Sequence, residues 1–173
     1  MELLENISSN LDSNLITTGV FIDLKKAFDT IDHDILIKKL YHYGVRGIAS
    51  KWIQSYLYNR LQYVIYNNVK SETRKLVCGV PQGSILGPIL FLLYINDICN
   101  ISQKLNFILF ADDTNVFVDG KSHSEVSTVL NNELKNVTVW FKVNKLSLNV
   151  DKTNYMIFDK GIKILIVMCI LII

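Results

Sequence analysis

Cysteine is scarce in this 173-residue chain, and its three cysteines (Cys78, Cys99 and Cys169) form no Cys-x-x-Cys pair and accompany no paired histidines. That spacing argues against a zinc site and a disulfide framework, and makes a reducing, intracellular compartment the expectation. Charge of one sign is also lacking, since 18 Lys and Arg stand against 16 Asp and Glu, a net +2. Any nucleic-acid binding therefore rests on local clustering and not on bulk charge. The only two prolines, Pro81 and Pro88, share one loop; no linker marks a second domain and no repeat is visible, so one mixed unit is expected. The opening Met1-Glu2-Leu3-Leu4-Glu5 is acidic and has no apolar core segment, so no secretory signal is expected. A single long apolar run exists, the ten residues Ile164–Ile173. Crossing a bilayer takes about 20 such residues, so no membrane partner is expected. The β-branched content of the run suits a strand of a larger sheet. The stub of an interrupted reading frame and a tail anchor stay open as alternatives.

What is present is a foldable composition. Half the residues are hydrophobic and a fifth are charged, which excludes disorder and supports one domain with a real core. The pattern predicts a helix over Glu2–Leu11, a polar connector Asp12–Thr18, and an apolar strand Gly19–Leu24 that carries Asp23. Asp32 caps a helix from His33 to Tyr43 that Gly44 closes, and a second helix runs Gly47–Tyr58. Strands are expected at Gln62–Tyr66 and Arg74–Cys78, joined through the turn signal Asn67-Asn68. The Gly/Pro loop Gly79–Pro88 leads into a helix from Pro88 to Asp97. Strands Phe107–Ala111 and Asn115–Asp119 flank Asp112-Asp113-Thr114. The capping box Ser122-x-x-Glu125 then opens an amphipathic helix through Phe141, and Leu148–Phe158 follows as turn and strand. The fold class is α/β of the α+β type.

Three carboxylates carry most of the chemistry: Asp23, and the adjacent Asp112 and Asp113. Each follows a short apolar run that reads as a buried strand. Side by side, two such strands bring three acids into one small volume, where like charges repel unless a cation neutralises them. Mg²⁺ suits that arrangement, because it takes a few carboxylates and completes its shell with water and substrate phosphates. The pattern points to metal-assisted phosphoryl chemistry.

The order of the motifs resembles the reverse transcriptase domain of non-LTR retrotransposons (LINE-like and jockey-like elements), from about Val20 to Phe158. Phe21-Ile22-Asp23-Leu24-Lys25-Lys26-Ala27-Phe28-Asp29-Thr30-Ile31-Asp32-His33 is similar to the family's first palm motif. Gly79-Val80-Pro81-Gln82-Gly83-Ser84-Ile85-Leu86-Gly87-Pro88, continuing through Leu92, Tyr94, Asn96 and Asp97, is similar to the second. Phe110-Ala111-Asp112-Asp113-Thr114 resembles the third, and Leu146-Ser147-Leu148-Asn149-Val150-Asp151-Lys152-Thr153 the fourth.

This resemblance implies a polymerase palm, an antiparallel sheet packed on helices, with fingers and thumb largely missing. It implies RNA-directed DNA polymerisation with two Mg²⁺ ions (Mn²⁺ as substitute), an RNA template, a DNA primer and deoxynucleoside triphosphates. Asp23, Asp112 and Asp113 become the metal ligands, with a backbone carbonyl at Ile22 or Leu24 as a possible addition. Lys152 becomes the general acid for the pyrophosphate leaving group, although a lone lysine reads equally as a surface charge. Phe28 becomes the aromatic gate against a ribose 2′-hydroxyl; without the family it is an ordinary core phenylalanine. Gln82 and Gly83 become contacts to nucleotide or template, where a plain loop-to-helix turn explains the glycines but not Gln82. Asp29 and His33 are expected in structural roles, and some of the ten basic residues between Lys25 and Lys75 along the template path. The expected division is residues 1–18 as a fingers-side remnant, 19–160 as palm core and 161–173 as apolar tail. The alternative is a catalytically silent remnant with at most weak nucleic-acid binding.

Overall fold

The computed structural model describes residues 2–168 and divides into two compact units. One combines the segment up to Lys25 with that from Asn96 onward; the other is Lys26–Ile95. Sequence composition alone marks neither boundary between the two compact units. The crossings at Lys25–Lys26 and Ile95–Asn96 carry no Gly/Pro/Ser-rich composition that would have betrayed them.

The first unit is built on an antiparallel sheet of five strands: β1 (Ile16–Ile22), β6 (Asn106–Phe110), β7 (Asp113–Gly120), β8 (Asn154–Asp159) and β9 (Ile162–Met168). Their order is β6-β7-β1-β8-β9, so the strand preceding Asp23 lies at the centre. β1 begins at Ile16, inside the expected polar connector. Thr17 and Thr18 there are buried, because β-branched threonines suit a central strand despite their hydroxyls. Met168 pairs with Asn154 and Ile162 with Asp159, so the first part of the apolar run does form a strand. Cys169–Ile173 lie outside the described residues.

Helix α5 (His123–Val143) packs on this sheet with Val126, Leu134, Val137 and Phe141 buried at helical spacing. The N-cap half of the expected box forms, Ser122 Oγ accepting from Glu125 N at 3.2 Å, while the Glu125 carboxylate reaches one residue further back and accepts from Lys121 N at 2.9 Å. Helix α1 (Glu2–Asp12) is tied to β1 by Asn10 Nδ2 donating to Thr17 Oγ1 at 3.1 Å.

In the second unit, α2 (His33–His42), α3 (Gly47–Leu57) and α4 (Leu86–Ile95) contribute Leu36, Leu40, Leu57, Leu90, Phe91 and Tyr94 to a common core. Asp32 caps α2, its carboxylate accepting from Ile35 N at 3.0 Å. Lys39 Nζ donates to the Tyr94 carbonyl at 2.6 Å, satisfying a group that the end of α4 leaves open. Between α3 and α4 lie two nested strand pairs. β3 (Ile65–Tyr66) pairs with β4 (Val69–Lys70), and outside them β2 (Leu61–Gln62) pairs with β5 (Arg74–Lys75). The two longer strands expected here are thus short pieces. α4 starts at Leu86, two residues before Pro88, which still falls in the first turn.

Candidate active site

Strand register decides where the acids fall. β1 and β7 run antiparallel with Ile22 opposite Thr114 as the last pair, so Asp23 and Asp113 stand one step beyond it on adjoining strands. On the other side of β7, Asp113 pairs with Phe110 of β6, which leaves Ala111 and Asp112 as a two-residue turn. Ala111 takes φ +52°, the left-handed region that a Cβ disfavours. Asp112 and Asp113 are exposed and Asp23 is half-buried. Directly behind Asp113, Thr114 is fully buried, and its hydroxyl has no hydrogen-bond partner among the described residues.

The fourth motif wraps the end of β1. Asn149 N–H donates to the Asp23 carbonyl at 2.8 Å, and Lys25 N–H donates to the Ser147 carbonyl at 2.8 Å. The Asn149 side chain also donates through Nδ2 to Asp23 Oδ2 at 2.6 Å. Thr153, fully buried, accepts from Asp23 N–H at 3.3 Å and donates to the Asn149 carbonyl at 2.9 Å. Lys152 is exposed between these two anchors. Asn149 and Thr153 lay within a quoted motif, but sequence reasoning gave neither a role. The signal available was a polar pair four residues apart in a segment already aligned with an acidic strand end.

Within the second unit, the first and second motifs are joined to each other. Val80 N–H donates to the Phe28 carbonyl and Gly79 N–H to the Ile31 carbonyl, both at 2.8 Å. A Cβ on Gly79 would stand 2.8 Å from the Asp29 carbonyl oxygen, so this approach requires glycine. His33 Nε2 donates to the Gly79 carbonyl at 2.7 Å, and Gln82 Nε2 donates to Asp29 Oδ1 at 2.8 Å. Asp29 and His33 thus hold the loop of the second motif in place. Gln82 is exposed, and Gly83 turns the loop at φ +80°. Phe28 is half-buried, its ring 4.9 Å from that of Phe91.

Among the described residues, no three Asp, Glu, His or Cys side chains converge into a preformed metal cage. Strand register sets Asp23 and Asp113 at adjoining strand ends, and among the described residues the three carboxylates form no single cluster. The donor set nonetheless fits Mg²⁺. Hard, largely exposed carboxylates at strand ends leave most of the shell to water and phosphate oxygens, as that ion prefers.

An antiparallel sheet on helices, with acids from two distant motifs at adjoining strand ends, defines a polymerase palm. The model of the family "Reverse transcriptase (RNA-dependent DNA polymerase)" matches residues 3–169, and the chain belongs to that family. Among its relatives is the probable RNA-directed DNA polymerase from transposon BS of Drosophila melanogaster, 32% identical over 164 residues, covering 87% of this chain and 17% of the relative. The RNA-directed DNA polymerase from mobile element jockey of the same species is 26% identical over 152 residues, covering 82% and 16% respectively. The chain thus spans less than a fifth of the length of these curated relatives. Among solved structures, telomerase from Candida albicans, in complex with a fragment of telomeric RNA, superposes with a TM-score of 0.64. That match has 16% identity and covers 94% of this chain and 30% of the telomerase chain. Telomerase from Candida tropicalis gives a TM-score of 0.66 at 10% identity, over 92% of this chain and 29% of that one. These likenesses establish the fold.

Proposed function

We propose that this chain is the palm of a retrotransposon RNA-directed DNA polymerase, extending a DNA primer on an RNA template with deoxynucleoside triphosphates. The observation that carries the reading is the Ile22–Thr114 register, which sets Asp23 beside Asp113. Asp23, Asp112 and Asp113 are the residues to hold divalent metal, Mg²⁺ or its substitute Mn²⁺. When bound, that metal supplies Lewis-acid stabilisation of the attacking and leaving oxygens of an in-line displacement. The chain's own contribution is placement: Asp113 opens β7, and Asp23 and Asp112 each stand one residue off a strand of the same sheet, which limits how far they can move. Lys152 Nζ is the proton donor assigned to the departing pyrophosphate. Phe28, Gln82 and Gly83 are assigned to the incoming nucleotide, with Asp29 fixing the Gln82 amide. An intracellular location accords with this reading.

Primer extension by the purified chain on a homopolymer template, with Mg²⁺ or Mn²⁺, tests the proposal. Incorporation is expected from the parent and is expected to fall by at least 100-fold in Asp112→Ala, the order lost when a principal electrostatic group is removed. Incorporation independent of Asp112, or none at all, counts against it. A second reading, a silent chain that binds nucleic acid weakly, draws support from the second unit, where nine Lys and Arg face four Asp and Glu. Binding of RNA without any Asp112-dependent incorporation would favour that reading.

A further inference from the structure

Two residues 126 positions apart are joined twice. Asn149 donates its main-chain N–H to the carbonyl of Asp23 at 2.8 Å and its side-chain amide to the carboxylate of Asp23 at 2.6 Å. We propose that Asn149 is the positioning residue for Asp23, fixing which carboxylate oxygen is offered to a divalent cation. This rests on the metal-binding reading of Asp23 above.

The chemistry of the pair supports the assignment. An ionised carboxylate only accepts hydrogen bonds, so the amide turns its NH₂ toward Asp23. A neutral donor occupies Oδ2 and leaves the negative charge of Asp23 intact, whereas a lysine or arginine there would compete with the cation. Oδ1 and the remaining lone pair stay available for a metal. Hydrogen bonds that orient a ligating carboxylate tune metal affinity in this way.

Other bonds already hold the segment beside the end of β1 without the Asn149 side chain. Asp23 N–H reaches Thr153 Oγ1, Lys25 N–H reaches the Ser147 carbonyl, and Leu24 bridges Leu148. Side-chain truncation therefore separates positioning from folding. A residue needed only to dock the segment would leave metal affinity untouched once the protein is folded.

The test uses the full chain and Mn²⁺ alone, with free Mn²⁺ read by electron paramagnetic resonance and folding read by thermal denaturation. The parent is expected to bind Mn²⁺ in a manner abolished by Asp23→Ala. Asn149→Ala is expected to weaken Mn²⁺ binding about tenfold, the lower end for loss of an outer-shell partner, with little change in Tm. Asn149→Gln, which keeps an amide donor on a longer arm, is expected to recover part of that loss. If Asn149→Ala does not fold, Asn149→Leu removes the donor at similar volume and is read in its place. Binding by the donor-less variant within twofold of the parent, with Asp23→Ala silent, overturns the positioning role alone. A parent that binds no Mn²⁺ at an Asp23-dependent site overturns the metal reading and this inference together.

Discussion

Ala111 holds φ +52° in a two-residue turn, with Phe110 and Asp113 paired on either side, and so fixes how Asp112 leaves the strand. A left-handed L-residue costs about 1–2 kcal/mol, and a β-branched side chain in that region is worse still. Ala111→Val is therefore expected to destabilise the chain by about 1–3 kcal/mol. Ala111→Gly, free of the Cβ conflict, is expected to stay at or slightly above the parent. Urea denaturation of the three proteins checks this order, and a Val variant as stable as the parent would remove strain from the account of the turn. The residue scale is also where sequence reading was both strongest and blindest. Asp23, Asp112 and Asp113 were legible because Asp23 follows the apolar run Val20–Ile22 and the Asp112-Asp113 pair follows the run Phe107–Ala111. The Asn149–Asp23 pair was not, because its partners are brought together only by the pairing of distant segments.

Most helices were legible as elements, since caps and apolar spacing are local. Ser122 and Asp32 cap as their sequence contexts suggest. The segment 61–75 was harder. Asn67 and Asn68 both take positive φ, +48° and +61°, which closes a two-residue turn and pairs Tyr66 directly with Val69. A short inner hairpin is the result, with a separate outer pair instead of two long strands. Tyr58, at the end of α3, ties that helix to the first turn of α2 by donating from Oη to Asp34 Oδ1 at 2.6 Å. Partial burial first, then that hydrogen bond and the charges of Asp34 and Asp32, push the phenol up to about 12. The native state therefore keeps a proton that the unfolded chain releases near pH 10. The sign follows: this contribution is complete below pH 10 and is lost as pH rises toward 12. Denaturation profiles across that window should show parent stability falling faster with pH than that of Tyr58→Phe. Parallel profiles would mean the α2–α3 tie does not depend on the phenol proton.

Across the whole molecule, charge is divided between the units. Lys26–Ile95 holds nine Lys and Arg against four acids, while the sheet unit holds nine against twelve. The overall +2 conceals this, which is why bulk composition said little about nucleic acid. β5 carries exposed Arg74 and Lys75, and exposed Tyr63 and Tyr66 lie nearby in sequence. Cations beside exposed aromatic rings are the ingredients of single-strand binding. Reversing both charges, Arg74→Glu with Lys75→Glu, is expected to weaken RNA binding about tenfold and flatten its log–log salt dependence by about one to two. Mn²⁺ binding at Asp23 is expected to stay unchanged. Fluorescence anisotropy at several salt concentrations reads the first effect, and an unaltered slope would place the phosphate contacts elsewhere.

The central position of β1 has a consequence for how the chain is made. Ile16–Ile22 leaves the ribosome before both of its neighbours, β7 and β8, so Ile22 waits for Thr114 and Thr17 for Phe158. Until then an apolar strand has two open edges, and such edges invite pairing with other chains. Folding of the acidic rim is therefore a late, long-range event, slow by its topology. A copy of this gene interrupted between β1 and the fourth motif would yield an aggregating polypeptide, because the strand leading to the first acid would have lost the partner that closes its second edge.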